Sequence, residues 1–362
     1  MLFEEARIVN ILVQDLKAGF VVKEDVCSQD GHIIMPKGMK ITKHRIQVLR
    51  AFLINEIQVQ ERASLSNQEE EINELYESIE KYNAFVDQYK KVIERYKKIF
   101  QGWQAGMMID MIDVRKSFIP FFKDFSTSSH ILNLCRYQSK ENDFYHHPVA
   151  VGLIAAFIGR KRNFKQEEWV GVALSGLLMD CGFSRMNEHL FLKSNETLSE
   201  TEKRMIKVHP SKSYQMVRHL RLLTEGSKLA VLQHHERLDG SGYPLGLTGN
   251  QVHPYSKIVA VADAFHVMIS DKAHGEKKIP FTVLEEMRKK SFGKYDFEYL
   301  TILMKEISST AIGRRILLNN NQKGEIVFIN QNDLSKPLIR LDEDALFLDL
   351  SENNGLYIAK KL

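Results

Sequence analysis

Residues 234–263 decide how this chain is interpreted, and they read HHERLDGSGYPLGLTGNQVHPYSKIVAVAD. Two adjacent histidines are followed by acidic side chains, by a glycine-rich loop that carries Tyr243 and Pro244, and by an apolar run that ends at Asp263. Imidazole nitrogens together with carboxylate oxygens suit iron, manganese or zinc. The stretch therefore predicts part of a metal site.

Each part of this stretch also has an ordinary structural interpretation. His234 and His235 fit a helix end, where polar side chains are easily satisfied. Asp239 with the following glycine fits a turn, and Asp263 fits a helix cap. Taken singly, each ordinary interpretation is the stronger one. The order of the parts, a histidine pair, a tight loop, an apolar segment and a carboxylate, favours the metal site.

Length and composition limit the class of protein. The 362 residues are enough for two or three domains, and 44% hydrophobic with 27% charged residues is typical of a soluble globular protein. No apolar run approaches the ~20 residues that span a bilayer, and the N-terminus lacks the layout of a secretion signal. We therefore expect a cytoplasmic protein without a membrane partner.

Charge and cysteine content argue against three further classes of protein. A net charge of +4, spread through the chain, gives no reason to expect a nucleic acid polymer as partner. The three cysteines are far apart and odd in number, so neither a disulfide framework nor a zinc ribbon is predicted.

Two β-rich segments flank the chain. Residues 1–62 contain short β-branched runs separated by turn signals, with a hairpin favoured at Asp30-Gly31 and a helix beginning near Thr42. Residues 313–362 contain further strand-like runs separated by Asn, Asp, Pro and Gly. We predict an accessory or sensing module at the N-terminus and a small β-rich segment at the C-terminus.

Residues 67–104 predict one long helix. Apolar positions alternate in steps of three and four, which makes a seam that repeats every 3.5 residues. The seam consists of Ile72, Leu75, Ile79, Tyr82, Val86, Tyr89, Ile93, Tyr96 and Phe100. Such a seam allows a homodimer through the 72–100 helix, and equally a long helix that lies on its own domain.

Residues 105–312 have the periodicity of a helical domain. Helices are predicted over 107–125, 131–136, 144–160, 167–179 and 200–223, with Pro120 kinking or interrupting the first of them. Ser199 and Glu202 form a capping-box pattern at the start of the last. The predicted fold class is mainly α, with a helical domain between a small N-terminal β-rich module and a small C-terminal β tail.

The helical domain contains further candidate metal donors. Asp143 and His147 are four residues apart, which places both on one face of a helix. Asp180 follows an apolar run, where a carboxylate needs a cation, a partner or a cap. His209 precedes a proline after an amphipathic segment.

The pattern HHExxDGxGYPxGLxG, together with the upstream His147 and His209 and the downstream Asp263, closely resembles the HD-GYP family. These are helical, metal-dependent phosphohydrolases, many of which cleave the bacterial messenger cyclic di-GMP. The resemblance covers roughly residues 140–310. It implies these metal ligands: His147, Asp180, His209, His234, His235 and Asp263, with Asp143 where some members have Glu. It implies these residues of the loop near the substrate: Arg237, Asp239, Gly242, Tyr243 and Pro244.

The chain departs from the family pattern at one motif and at one residue downstream of it. The family usually reads His-Asp-x-Gly-Lys where this chain has Met179-Asp180-Cys181-Gly182-Phe183, so one histidine ligand and one phosphate-facing lysine are replaced. Downstream, His266 stands where the family usually has Asp. Met179 is a soft thioether, a poor ligand for such a cation.

The resemblance and its departures lead to two functional hypotheses. The first is a cyclic di-GMP phosphodiesterase with an altered centre of one or two divalent transition metal ions, Fe or Mn before Zn or Ni, in which Asp180 is catalytic and activity is reduced. The second is an inactive receptor or scaffold that binds cyclic di-GMP or metal and signals through the long helix.

Overall fold

The computed structural model describes residues 8–27, 33–52, 54–60, 67–125, 127, 130–131, 134, 137, 143–192, 198–270, 280–290, 293–309, 311–329, 336–343, 346–353 and 355–361. The chain divides into two compact units, residues 82–310 and residues 1–81 together with 311–362. The first is helical and the second is rich in β-strands. Within the described residues, no helix is both long and apolar enough to cross a membrane.

The helical unit is built from the long helix and the helices that follow it. In chain order these are α2 (Asn67–Gln104, which begins in the other unit), α3 (Met111–Phe125), α4 (Asp143–Lys161), α5 (Gln166–Leu178), α6 (Glu188–Leu192), α7 (Glu200–Ile206), α8 (His209–Val217), α9 (Glu225–Gln233), α10 (Pro254–Ser270), α11 (Pro280–Lys290) and α12 (Phe297–Ser309). Short 3-10 turns lie at Cys181–Arg185 and Gly249–Gln251.

Helices α4 and α5 cross closely because glycines meet at the contact. A Cβ atom on Gly176 would lie 3.0 Å from the Gly152 backbone nitrogen, and one on Gly152 would lie 2.9 Å from the Ala173 carbonyl oxygen. This approach brings the start of α4, which carries His147, next to the end of α5, which is followed by Asp180.

The β-rich unit joins both ends of the chain. Its strands are β1 (Ile8–Leu12), β2 (Val21–Val22), β3 (Val26–Cys27), β4 (Ile33–Met35), β5 (Glu56–Gln60), β6 (Arg315–Leu318), β7 (Lys323–Ile329), β8 (Pro337–Leu341), β9 (Phe347–Asp349) and β10 (Ile358–Lys361), with helix α1 at Lys43–Ala51. They form an antiparallel three-stranded sheet β1-β5-β2, a β3-β4 pair and a five-stranded sheet β10-β6-β7-β8-β9.

The two β-rich segments share one core, although the sequence pattern treats them as separate regions. Val327 of β7 is buried among N-terminal residues such as Leu49 and Val59, and the Phe52 and Phe328 rings meet edge to face at 4.7 Å. Each segment presents a short apolar face that is too small to be buried alone. Packing against each other covers both faces.

Several local expectations are confirmed. The hydroxyl of Thr42 accepts from the Arg45 amide at the start of α1. Ser199 and Glu202 form the capping box of α7. The predicted Asp30-Gly31 hairpin and most of the helix predicted at 131–136 lie outside the described residues.

Two helix predictions are corrected. Pro120 lies inside α3, which is helical from Met111 to Phe125, so the predicted interruption is wrong and a kink stays a prediction. The helix predicted over 200–223 is two helices, because α7 ends at Ile206 and α8 begins at His209 with Pro210 in its first turn. Proline lacks an amide hydrogen and suits a helix start.

The long helix is confirmed, and the second half of its seam is buried inside the chain. Tyr89, Ile93, Tyr96 and Phe100 are each at most 1% exposed in the helical unit. Their burial matches the interpretation in which the helix lies on its own domain. Side chains 67–79 lie outside the described part, so a homodimer through the first half of the seam stays a prediction.

Candidate metal centre

Six of the side chains that the sequence singles out converge in the helical unit, and we call them the donor cluster. His147 lies in α4, Asp263 in α10, and His209 is the first residue of α8. Asp180 follows α5 and the histidine pair follows α9. The donor cluster consists of His147, Asp180, His209, His234, His235 and Asp263. Residues separated by more than one hundred positions thus meet at one place.

Asp180 lies at the middle of the donor cluster. Its Oδ1 is 3.2 Å from His209 Nε2 and 3.8 Å from His234 Nε2, while its Oδ2 is 3.8 Å from His147 Nε2. The carboxylate is 6% exposed. One carboxylate therefore faces imidazoles on both sides.

Asp263 is the second carboxylate of the donor cluster. Its Oδ1 is 3.1 Å from His147 Nε2 and its Oδ2 is 3.6 Å from His235 Nδ1. It is 3% exposed. Because it lies in the interior of α10, the alternative of a helix cap is excluded.

Two of the imidazoles are fixed by the backbone. His209 donates from Nδ1 to the Ile206 carbonyl at 2.7 Å, and His234 donates from Nδ1 to the Val231 carbonyl at 2.9 Å. A carbonyl only accepts, so each ring carries a hydrogen on Nδ1 and turns its Nε2 toward Asp180. Donor atoms of His209, His234 and His235 lie within 4.8 Å of one another. This donor set fits a divalent metal ion.

The protonation of the cluster follows from burial and from neighbouring charge. Burial raises the pKa of Asp180, but its hydrogen bond to His209 and the nearby imidazoles outweigh burial and hold that pKa at about 2. Burial and the neighbouring His209 lower the pKa of His234 to about 4. Asp180 is thus an anion and His234 a neutral base at neutral pH, the forms that bind a metal.

His147 is held differently, by another side chain. Its Nδ1 lies 2.9 Å from His266 Nδ1, and His266 Nε2 lies 3.1 Å from His146 Nε2. Burial opposes protonation of His147, but the hydrogen bond to Asp263 raises its pKa above the ordinary value. Burial lowers the pKa of His266 well below the ordinary value, so that ring is neutral.

The two replaced family residues lie next to the donor cluster. Met179 is 1% exposed and directly precedes Asp180. Phe183 stacks its ring on His209 with centroids 4.3 Å apart and planes 15° apart. An apolar ring thus covers a face of His209 at the position where the family usually carries a lysine.

Arg237 and Asp239 of the Gly/Pro loop make local contacts. Arg237 donates to the backbone carbonyls of His234 and Glu236, at 3.2 and 2.8 Å, and packs 4.7 Å from the Tyr295 ring centroid. Asp239 accepts from the amide and hydroxyl of Ser241 in a turn. The turn that forms the ordinary interpretation of Asp239 is therefore present.

Tyr243 is the loop residue that stacks on the donor cluster. Its ring stacks on His235 with centroids 4.7 Å apart, and the Tyr243-Pro244 peptide bond is cis. The backbone at Gly242 passes so close to the histidine pair that a Cβ atom would lie 2.5 Å from the His235 carbonyl oxygen. Only glycine fits there.

Glu236 fixes this loop and was missed as a functional residue. Its carboxylate is 2% exposed and accepts from the amides of Leu245 at 2.7 Å and Leu247 at 2.9 Å. The sequence signal was an acidic residue directly after the histidine pair. Its backbone partners could not be read from the pattern, because they follow it by nine and eleven residues.

Asp143 and Cys181 lie close in sequence to members of the donor cluster but are not part of it as described. Asp143 is the first residue of α4, and its side chain lies outside the described part. Burial raises the pKa of Cys181 to about 12, so that thiol is neutral and structural.

A family model described as an HD domain matches residues 129–298. The chain is 28% identical over 215 residues to the cyclic di-GMP phosphodiesterase PdeB of Borreliella burgdorferi, which covers 59% of this chain and 56% of that protein. It is 24% identical over 213 residues to the cyclic di-GMP phosphodiesterase PA4108 of Pseudomonas aeruginosa, and the match covers 58% of this chain and 50% of that protein. The chain spans about half the length of these curated relatives.

A solved structure shares the fold. A protein described as an HDG"Y"P protein from Bdellovibrio bacteriovorus matches with a TM-score of 0.51 at 15% identity, covering 82% of this chain and 98% of that chain. The matched HD-domain residues include the whole donor cluster and the Gly-Tyr-Pro loop. Residues 129–298 therefore match an HD domain, and the similarity to these relatives supports a place for this domain in the HD-GYP family.

Proposed function

We propose that this chain is a metal-dependent phosphodiesterase that hydrolyses cyclic di-GMP. The observation that carries the proposal is the convergence of four imidazoles around the two carboxylates of Asp180 and Asp263. The activity named for the two curated relatives supports the choice of substrate.

We assign the donor cluster to two metal positions that share Asp180. The first has four ligands, Asp180, His209, His234 and His235. The second is left with His147, Asp180 and Asp263, and Asp143 joins it if its side chain reaches. Iron or manganese suits this mixture of nitrogen and oxygen donors, and zinc or nickel is accepted by the same set. A metal ion held there supplies Lewis acidity, which activates water and stabilises charge on the phosphoryl oxygens.

The protein's own groups bind and orient the substrate. Tyr243 presents a ring beside His235, and Lys207 places its ammonium 5.5 Å from the centroid of that ring. Tyr243 is half-buried, so a guanine base would pack against the accessible part of its ring, and a phosphate can pair with the lysine. Arg237 and Asp239 make hydrogen bonds within the loop and hold its conformation. Asp180, ionised at neutral pH, keeps both metal positions supplied with an anionic oxygen.

The altered motif reduces activity in this proposal. Met179 removes an imidazole from the second position, and Phe183 removes a cation that would face phosphate. One well-placed charge is worth about 10²–10³ in kcat. The same two residues favour the second candidate function, a receptor that binds cyclic di-GMP without cleaving it.

Hydrolysis assays with purified chain separate these two functions. Cyclic di-GMP is incubated with the chain loaded with Mn²⁺ or with Fe²⁺ under anaerobic conditions, and the linear dinucleotide and GMP are measured. We expect slow cleavage that His234→Ala abolishes and His219→Ala leaves unchanged, because His219 is an exposed histidine that is not a member of the donor cluster. Tight cyclic di-GMP binding with no product above the His234→Ala background would support the receptor instead.

A further inference from the structure

A chain of buried side chains leads away from His147. His266 lies between two imidazoles, with Nδ1 2.9 Å from His147 Nδ1 and Nε2 3.1 Å from His146 Nε2. His146 in turn pairs through Nδ1 with the hydroxyl of Tyr89 on α2. His266, His146 and Tyr89 are 2%, 6% and 0% exposed. We call these three residues the relay.

Aromatic packing fixes the far end of the relay. The Tyr89 ring stacks on Phe85 at 5.3 Å and on Phe121 at 5.7 Å, and it meets His146 edge to face at 5.3 Å. Tyr137 packs against both Tyr89 and His146. With both rings held in place, the hydroxyl has a fixed position opposite the imidazole.

The chemistry of neutral imidazole makes the relay directional. Each neutral ring has one donor nitrogen and one acceptor nitrogen. If His147 binds a metal through Nε2, its hydrogen is on Nδ1 and is donated to His266. His266 must then donate from Nε2 to His146, and His146 must donate from Nδ1 to the Tyr89 oxygen. The Tyr89 hydroxyl hydrogen has the His146 carbonyl oxygen, 3.5 Å away, as an acceptor.

We propose that His266, His146 and Tyr89 are positioning residues that fix the ring orientation and tautomer of His147 for metal binding. Both nitrogens of His266 face other imidazoles, which assigns this residue to the relay and not to the ligands. The relay rests on the proposed function only in taking His147 as a metal ligand. It adds that the affinity of the second metal position depends on a tyrosine of the long helix.

Metal binding without any nucleotide tests the relay. Zn²⁺ affinity and stoichiometry are measured by calorimetry for the wild type, Tyr89→Phe, His266→Phe and the double variant. Tyr89→Phe leaves the His146 Nδ1 hydrogen without its acceptor, so we expect binding at the second position to weaken about tenfold, and His266→Phe to weaken it about 10- to 100-fold. Tyr299→Phe, a buried tyrosine of α12 far from the relay in sequence, is the matched control.

The double variant separates the relay from a merely structural role. Once His266 is replaced, no hydrogen-bonded path joins Tyr89 to His147. Adding Tyr89→Phe should then cause no further loss of Zn²⁺ affinity. NMR of the histidine ring nitrogens in the Zn²⁺-loaded wild type should show hydrogen on Nδ1 of His147, Nε2 of His266 and Nδ1 of His146. Wild-type affinity in Tyr89→Phe, an additive loss in the double variant, or other tautomers would overturn the relay. A wild type that binds Zn²⁺ with these tautomers but never cleaves cyclic di-GMP would overturn the proposed function and leave the relay standing.

Discussion

The two ends of the donor cluster hold their imidazoles by different means. At one end, His209 and His234 each donate to a backbone carbonyl three residues earlier. At the other end, His147 is held by the side chain of His266, itself bonded to His146. Asp180 lies between the ends and faces both.

We call the end with His209 and His234 the fixed end and the end with His147 the adjustable end. A carbonyl oxygen can only accept, so the tautomers of His209 and His234 are set by the helix turns that carry them. An imidazole partner can donate or accept, so the tautomer of His147 depends on further side chains. The altered residues Met179 and Phe183 flank Asp180, and only the histidine-to-Met179 change removes a donor. Metal is therefore expected to bind most tightly at the fixed end.

Asp180→Asn should weaken metal binding at both the fixed and the adjustable end, and we expect it to have the largest effect on activity. The change removes the anionic oxygen that both ends share, so we expect metal content per chain to fall at both positions and hydrolysis to drop on the order of 10³-fold. Metal is quantified by elemental analysis, and folding is checked by circular dichroism. Asp87→Asn, on the exposed side of α2, is the control. Loss of metal from one position only would contradict the central role of Asp180.

In the metal-free chain, a fall in pH should change the free energy of unfolding in opposite directions through His234 at one end and His147 at the other. The folded pKa of His234, about 4, is below its ordinary value of 6.5, so the unfolded chain binds more protons between those values. Stability should therefore fall by about 3 kcal/mol as the pH drops through that window. His234→Gln should remove this loss, as measured by urea unfolding in EDTA.

The corresponding variant at the other end is the comparison. The pKa of His147 is raised, so its contribution is present below the ordinary pKa and is lost as the pH rises through the raised value. His147→Gln should therefore lower stability at acidic pH and make the acid loss steeper. The same change of slope in both variants would show that the two ends do not differ.

Restoring the family motif should strengthen metal binding at the adjustable end, with a smaller effect on hydrolysis than Asp180→Asn. Met179→His with Phe183→Lys adds an imidazole beside Asp180 and a cation in place of the ring on His209. We expect metal content per chain to rise and hydrolysis to increase about 10²-fold. Met179→Leu with Phe183→Leu keeps both positions apolar without adding a donor atom and should change neither metal content nor hydrolysis. Unchanged metal content in Met179→His with Phe183→Lys would contradict this explanation of reduced activity.

Local signals in the sequence predicted much of the helical unit. The seam of three- and four-residue steps predicted α2, and Ser199 with Glu202 predicted the start of α7, because periodicity and capping are properties of neighbouring residues. The break between α7 and α8 and the unbroken α3 around Pro120 were not predicted. Around Pro120 the packing of the whole helix outweighs the signal of one residue, whereas Pro210 acts as an ordinary proline at the start of α8.

The relay was hidden from the sequence for a related reason. His146 is adjacent to a predicted ligand, and on a helix its ring points about 100° away from His147. That direction leads into an aromatic cluster that includes Tyr89 and Tyr137. The heptad seam placed Tyr89 at an apolar position of the long helix. That pattern does not show which group its hydroxyl contacts.

The sequence by itself determined which residue types are available for a metal site and their order along the chain, because the motif from His234 to Asp263 is specific and continuous. Tertiary structure decided how each imidazole is oriented and what stands in for the replaced motif. The contacts responsible, between Phe183 and His209 and between His147 and His266, join residues 26 and 119 positions apart, where only helix packing sets the distance.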